Sequence, residues 1–580
     1  MRPLEFFALS RAILGLLGVR YRQLVLLVLL MLFGLLLELL GLSLVPVFLS
    51  SLFWPNQLAD MPLPEVLKAS ILSGDVLTDP VVASLMVGCV FLSKSLVAYI
   101  IQLRILRFSL QKAQELKLRL FGLYQALPYS YHLTTSSAEI YQSIYSRSHQ
   151  IAHTGLTGVL KIVSDGLVIT VLAFALLIVT PNLVLMAGAT IISVLCLYFV
   201  MTREPLKKAG RAANEGPVGM YRAMIAALNG YREIKLIKAA SVFYRQAERE
   251  SQKFIESQFI HSSLTMLPRY LLEAGLVLVM VLWTAIEVEK GAPSTTLIAQ
   301  VAIFVTAAAR LLPLSSSMAS SISGLRYAEP SLADLEADLK LDARVDESKS
   351  RSPISHLDFK SLKLEQVTFK YEGKRNTLAL DGVSVTLERG DRLGIRGESG
   401  SGKSTLLNLI LGFLTPSSGA VTVNGEVMTL GQERWQSKLA YIPQEVFLFE
   451  GTIAENICLK PFQKLTKPEF EHLEVAVESA RLKPFIEGVG GGFEAKVGER
   501  GVQLSGGQRQ RIAIARALFS GREILIMDEA TSALDLETER LIIEDLAQAS
   551  DNVTMIVVGH RPQSLALCDT VLTLDNGRIL

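Results

Sequence analysis

Apolar residues gather into six long runs, Leu24–Phe53, Val81–Leu103, Gly158–Thr180, Leu183–Met201, Leu267–Val288 and Leu297–Ser317. A helix of about 20 apolar residues crosses a bilayer, whereas helices of soluble domains average roughly half that length. The runs therefore predict six membrane spans and exclude a wholly soluble protein. Between the second and third runs, and between the fourth and fifth, the pattern turns polar but stays helical, over Arg104–Leu156 and Thr202–Met266. A helix rises about 1.5 Å per residue, so roughly twenty-five residues descend nearly ~40 Å before the chain reverses. The reversals are expected near Ser136–Ser143 and Ala226–Glu233. Ahead of the first run, residues 1–22 read as an amphipathic helix on the membrane surface, with no signal-peptidase-like site. The spans and their extensions fill residues 23–330. Residues 331–357, ending in ESKSRSP, read as a linker, and residues 358–580 as a separate α/β domain.

Composition supports this division. The chain has 580 residues, 50% of them hydrophobic and 19% charged, with a mean hydropathy of +0.38. A net charge of +2 gives no case for nucleic acid. Charge also sets orientation. Arg11, Arg20 and Arg22 precede the first span, and Arg203, Lys207 and Lys208 follow the fourth. The loop Trp54–Pro80 instead carries Asp60, Glu65, Asp75 and Asp79 against Lys68. Positive residues favour the cytoplasm, which places the N-terminus and the C-terminal domain inside. The cysteines, Cys89, Cys196, Cys458 and Cys568, show neither metal spacing nor a disulfide pattern and read as structural.

The C-terminal domain carries phosphate chemistry. GESGSGKS (Gly397–Ser404) lies between a predicted strand, DRLGIR, and a predicted helix starting at Ser404. Gly397, Ser399, Gly400 and Gly402 let backbone N–H groups converge on phosphate oxygens at a helix N-terminus, which Ser404 and Thr405 open. Lys403 would reach the β- and γ-phosphates, and the Ser404 hydroxyl would ligate Mg²⁺. In EILIMDE, four apolar residues precede Asp528 and Glu529, as in a buried parallel strand. Asp528 is a candidate Mg²⁺ ligand, and Glu529 a candidate base for the attacking water.

With ATSALD (Ala530–Asp535) after the acids and LSGGQ (Leu504–Gln508) before them, the chain from about Leu362 onward resembles the ATP-binding cassette family. The resemblance implies that Ser505, Gly507 and Gln508 bind the γ-phosphate of a nucleotide held by a second subunit. It implies that Tyr371 stacks on adenine and that Gln444 senses Mg²⁺ and signals to the membrane part. By the same resemblance His560 is the switch histidine, Asp535 couples the two sites, and VGERG (Val497–Gly501) touches membrane-domain loops. The reversal helices would press on the cassettes. No catalytic position is degenerate. Spans fused ahead of one cassette resemble an exporter-type half-transporter, so a homodimer is expected: a six-helix all-α transmembrane domain followed by an α/β P-loop nucleotide-binding domain. Many relatives carry a further helix beyond the point where this sequence stops, at DNGRIL.

Charged groups within lipid cost several kcal/mol unless paired or facing water, so each is a functional candidate. Glu38, Lys94 and Arg310 lie inside the first, second and sixth spans. For Glu38 and Lys94 an interhelical pair competes with a cargo role. Arg269 and Glu273 stand four apart on one helix face and could form a local pair. A cationic, water-filled cavity suits a pyrophosphate, which arginine binds through paired hydrogen bonds. ELLGLSLVP, GYREIKL, LPRYLLE and RLLP resemble segments of bacterial flippases for lipid-linked oligosaccharides. The function this implies is ATP-driven flipping of a polyprenyl-pyrophosphate-linked oligosaccharide to the outer leaflet of the bacterial inner membrane. Export of a peptide, drug or other lipid is the alternative. A regulatory or channel-like cassette protein is the alternative of another class.

Overall fold

The computed structural model describes residues 3–53, 80–179, 181–291, 294–349, 358–371, 377–428, 433–530, 536–548, 553–566 and 568–580. The acidic loop 54–79, the linker residues 350–357 and Asp535 lie outside them. The chain divides into two compact units, Met1–Leu127 with Thr135–Ala343, and Pro128–Thr134 with Arg344–Leu580.

The first unit is helical. Helix α1 (Pro3–Leu16) leads into α2 (Tyr21–Phe53) and α3 (Pro80–Ala126). Short helices α4 (Tyr129–Thr134, part of the second unit) and α5 (Ser137–Gln142) follow. Then come α6 (Thr157–Val179), α7 (Pro181–Asn229), α8 (Tyr231–Leu236), α9 (Ala240–Glu289) and α10 (Ser294–Lys349). Each apolar run lies in one of the long helices α2, α3, α6, α7, α9 and α10, apart from Thr180, which is outside the described residues. Among the described residues five helices are long and apolar enough to cross a membrane. The 49 residues of α7 continue without a break from the apolar into the polar stretch. At about 1.5 Å per residue it is far longer than a hydrocarbon core of about 30 Å requires. Where α7 crosses α10 the backbones nearly touch: a Cβ at Gly210 would lie 2.3 Å from the Tyr327 carbonyl oxygen, so only glycine fits.

Between α5 and α6 the chain is wound as π-helix, over Ser143–Arg147 and Gln150–Leu156. The buried Ser109 hydroxyl of α3 donates to the Ala152 carbonyl at 2.5 Å, giving that oxygen a partner. Ile13 of α1 fills the space beside Gly155, where a Cβ would come within 3.3 Å of its Cδ1. Helix α1 is thereby packed against the segment that leads into α6.

The first reversal differs from expectation. Ser136, expected in the tip, is the N-cap of α5, its hydroxyl accepting from the Glu139 N–H. A side chain that satisfies a first-turn donor starts a helix, so the chain has already turned by Ser136. The short helix at the turn is α4. The second reversal, at Gly230, falls inside the expected stretch.

The second unit holds two sheets. Strands β1 (Ser361–Phe369), β2 (Leu380–Glu388), β4 (Ser418–Val423) and β5 (Glu426–Val427) form an antiparallel sheet in the order β2-β1-β4-β5. The other sheet runs β10-β9-β3-β8-β7-β6, with β3 (Arg392–Arg396), β6 (Leu439–Ile442), β7 (Ile524–Asp528), β8 (Thr554–Val558), β9 (Thr570–Asp575) and β10 (Arg578–Ile579). Strands β6, β7, β8, β3 and β9 are parallel. In β7 the four apolar residues are buried and Asp528 is half-buried. That is why the strand reads as continuous hydrophobicity ending in an acid. The helices of this unit include α11 (Lys403–Ile410), α12 (Ile453–Cys458), α13 (Lys467–Ser479), α14 (Gly506–Phe519), α15 (Leu536–Gln548) and α16 (Pro562–Leu565). In α4, the Tyr129 ring lies 5.4 Å from that of Phe413. The architecture is all-α followed by α/β, as the sequence predicts.

Candidate functional site

The loop from β3 into α11 turns on glycines that no other residue replaces. Gly400 and Gly402 have φ of +85° and +107°, a region L-residues enter at a cost. A Cβ at Gly402 would lie 2.5 Å from the Ala379 carbonyl oxygen, and one at Gly397 would lie 2.2 Å from that of Leu574. Lys403 Nζ folds back and donates to the carbonyls of Gly397 (2.6 Å) and Glu398 (2.8 Å). Among the described residues no carboxylate pairs with it, so an anionic phosphate can take both contacts. The buried Ser401 hydroxyl has no hydrogen-bond partner in the loop. Ser399 sits in the same turn, and Ser404 and Thr405 open α11. The Thr405 and Tyr371 hydroxyls are 3.2 Å apart, and the Tyr371 ring stands edge-on to Phe369 at 4.9 Å. Tyr371 is thus tethered beside the loop.

The acids close the other side. Gln444 Nε2 donates to Glu529 Oε2 at 2.7 Å, and His560 Nε2 lies 3.3 Å from Glu529 Oε1. Two residues, just beyond the ends of β6 and β8, therefore converge on the Glu529 carboxylate at the end of β7. Glu529 itself has φ +45°, with its N–H donating to the Val558 carbonyl at 2.9 Å. The Asp528 carboxyl is pushed above the usual carboxylate range, chiefly by burial and further by the neighbouring Glu529 charge. The Tyr441 hydrogen bond and the Lys403 charge pull it the other way. Ser404, Asp528 and Gln444 each carry an oxygen of the hard kind that Mg²⁺ takes.

Two residues of this site escape sequence reasoning. Tyr441, in YIPQ, donates to Asp528 Oδ2 at 3.3 Å, and burial first, then the Asp528 charge, pushes its phenol up beyond its ordinary range. Glu539 is fully buried; Arg561 Nη1 donates to its Oε2 at 2.7 Å, and the Ser564 hydroxyl to its Oε1 at 2.5 Å. It fixes the segment that follows His560. In sequence it is one more acid in a helix's first turn, which the helix dipole alone would explain.

Ser505 is the N-cap of α14. Its hydroxyl accepts from the Gln508 N–H (3.2 Å), and the Gln508 side chain accepts from the Ser505 N–H (2.8 Å). This reciprocal cap rigidifies the turn and leaves the N–H groups of Gly506 and Gly507 at the positive end of a 14-residue helix.

In the first unit Glu38, Lys94 and Arg310 form one cluster. Glu38 Oε1 lies 2.8 Å from Lys94 Nζ and 3.6 Å from Arg310 Nη1. Glu38 and Lys94 are therefore an interhelical pair, and Arg310 joins it. Arg269 and Glu273 are both exposed on α9, and no ion pair links them. Asp165 of α6, which the sequence reading passes over, is buried with one carboxylate oxygen unpartnered among the described residues.

The sequence profile described as ABC transporter matches residues 380–532, which span the loop and the acids. An ATP-dependent lipid A-core flippase of Aromatoleum aromaticum is 30% identical over 488 residues, covering 82% of this chain and 77% of that protein. The chain belongs to the ABC transporter family. The heterocyst differentiation ATP-binding protein HepA of a Nostoc species is 29% identical over 496 residues, covering 81% of this chain and 76% of the relative. In fold the chain is similar to a bacterial Atm1-family ABC exporter with ATP bound, at a TM-score of 0.74 over 97% of this chain and 95% of the other, with 23% identity. This ABC transporter is a multi-pass membrane half-transporter of exporter type that binds ATP and couples its hydrolysis to transport.

Proposed function

We propose that this ABC transporter is an ATP-driven flippase for a lipid with an anionic headgroup, and that its cargo is a polyprenyl-pyrophosphate-linked oligosaccharide moved to the outer leaflet of the inner membrane. The observation that carries the reading is the Glu38–Lys94–Arg310 cluster, two cations on one carboxylate within the spans. Arg310 keeps 41% of its side chain exposed, and a planar guanidinium matches phosphate oxygens through paired donors. Relatives named for a lipid A-core substrate support a lipid cargo.

The working unit is a homodimer. Residues 1–22 form the surface helix, 23–330 the transmembrane domain, 331–357 the linker and 358–580 the cassette. The N-terminus and the cassette are cytoplasmic. Gly397, Ser399, Gly400, Gly402, Lys403, Ser404 and Thr405 of one copy cradle the phosphates, with Tyr371 against adenine. Ser505, Gly507 and Gln508 of the second copy close over the γ-phosphate, and Asp535 couples the two sites. Ser404, Asp528 and Gln444 would hold Mg²⁺, which when bound offsets the phosphate charge. Closing the site turns Lys403 from its own carbonyls to phosphate oxygens. Glu529 then accepts a proton from the attacking water, with His560 and Gln444 fixing its carboxylate. Closure opens the cavity outward, and hydrolysis resets it.

The test is ATP-dependent translocation of a polyprenyl-pyrophosphate oligosaccharide in proteoliposomes, with Glu529→Gln as the inactive control. Movement by the wild type alone is expected. Arg310→Ala is expected to reduce flipping more than basal ATPase activity. No movement with ATPase intact refutes this cargo, and equal loss of both activities in Arg310→Ala refutes its headgroup role.

A further inference from the structure

We infer that Glu38 is a built-in counter-anion, which occupies Arg310 while the cavity is empty and yields it to the anionic headgroup. This rests on the reading of Arg310 as a headgroup ligand. One oxygen of Glu38 serves both cations, unequally. Its 2.8 Å contact is to Lys94, which is buried at 6% exposure and held in place. The Lys94 ammonium lies 4.6 Å from the Phe91 ring centroid, and its stem passes Gly41 so closely that a Cβ there would come within 3.2 Å of its Cδ. The contact to Arg310, at 3.6 Å, exceeds the roughly 2.7–2.9 Å of a charge-assisted hydrogen bond. Arg310 has five N–H donors, and Glu38 is its one charged partner among the described residues. The short pair is held by the packing around Lys94, whose ammonium makes no aligned hydrogen bond among the described residues, and the longer contact is the one a ligand can replace.

The charge arithmetic gives the device a purpose. Without Glu38 the empty cavity would hold two unneutralised cations inside the membrane, which is costly. With Glu38 it holds a net single positive charge. An arriving phosphate or pyrophosphate offers Arg310 better geometry than the distant carboxylate does. A neutral headgroup does not, so it leaves Arg310 on the Glu38 carboxylate. When the headgroup leaves on the far side, Glu38 re-pairs with Arg310 and opposes rebinding. The carboxylate therefore trades affinity for charge selectivity and release. It also ties α10 to the α2–α3 pair only while the cavity is empty.

The experiment uses the full chain in nanodiscs, with undecaprenyl pyrophosphate as probe and undecaprenol as its neutral control. The readouts are direct binding of radiolabelled lipid and the concentration giving half-maximal ATPase stimulation. Glu38→Gln removes the competing charge and keeps the shape. It is expected to lower the half-saturating concentration of the pyrophosphate lipid about five- to tenfold, within the usual range for coupled sites, and to leave undecaprenol unchanged. If Glu38→Gln does not fold, Glu38→Gln with Lys94→Met removes the fixed pair as a unit and is expected to tighten binding likewise. Unchanged or weaker binding in a folded variant, with the wild type still preferring pyrophosphate over alcohol, overturns the counter-anion role and leaves the headgroup reading standing. A wild type that does not distinguish the two lipids overturns both.

Discussion

Glu539 offers the sharpest test of how the catalytic end of the cassette is held. It is fully buried, accepts from Arg561 and Ser564, and thereby anchors the turn that carries His560. Glu539→Ala takes from the buried Ser564 hydroxyl its acceptor on Glu539, and losing such a buried hydrogen bond costs about 1–3 kcal/mol. Removing one partner of a buried ion pair costs about 3–5 kcal/mol. Arg561 is 40% exposed and regains water, so its share falls to the screened value of about 1 kcal/mol, and with about 2 kcal/mol for the Ser564 bond the sum is about 3 kcal/mol. For a domain of this size about 1 kcal/mol shifts the melting temperature by roughly 2–4 °C, so the cassette transition should fall by about 6–12 °C. If some 1.4 kcal/mol of the loss reaches His560 in the transition state, turnover falls about tenfold. The ATP affinity of the Lys403 loop should change little, because the Arg561 and Ser564 contacts of Glu539 lie outside it. Thermal unfolding and steady-state ATPase assays of the purified transporter, on Glu539→Ala and Glu539→Gln, measure both quantities. Glu539→Gln keeps an acceptor for Ser564 and should lie between. A lower melting temperature with unchanged kcat would show that Glu539 supports the fold but does not position His560. Wild-type values for both would refute the argument entirely.

Glu529→Gln should bind ATP and cut turnover by two or more orders of magnitude, the reach of a general base; near-normal hydrolysis would remove Glu529 from that role. The raised Asp528 carboxyl gives a pH signature. The folded state holds this proton more tightly than the unfolded chain, so charging it costs stability as pH rises from about 4. Metal-free Asp528→Asn should therefore melt higher than the wild type at pH 7, and the gap should close as pH falls towards 4. A pH-independent gap would contradict this. Burial raises the thiols of Cys458 and Cys568 to about 11. Since thiolate is the reactive form, both should alkylate on the order of a hundredfold slower than a free cysteine at pH 7.5 in the folded transporter. Labelling at the free rate would show the region opens.

Spans and phosphate chemistry were legible because each has a local signature. Bilayer thickness sets the length of an apolar run, and a phosphate cradle needs glycine at fixed offsets. Glu529, Gln444 and His560 were legible by resemblance, but their meeting on one carboxylate depends on the parallel order of β6, β7 and β8. What stayed hidden is what long-range packing makes. Glu539 pairs with residues some twenty positions away and looks locally like a dipole-complementing acid. The joining of Glu38 to both Lys94 and Arg310 depends on how α2, α3 and α10 meet, and no spacing in the sequence reports that. The first reversal was misplaced because Ser136 looks like turn chemistry either way; only its bond to the Glu139 N–H shows that it starts a helix.

The left-handed backbone at Glu529 has a consequence for anyone evolving this protein. A non-glycine residue there carries a strain of order 1–2 kcal/mol, which glycine would relieve and asparagine would reduce. A selection for heat resistance alone will be drawn to that position and will return robust, inert proteins. Libraries sorted for durability should hold codon 529 fixed, or score ATP consumption in the same round.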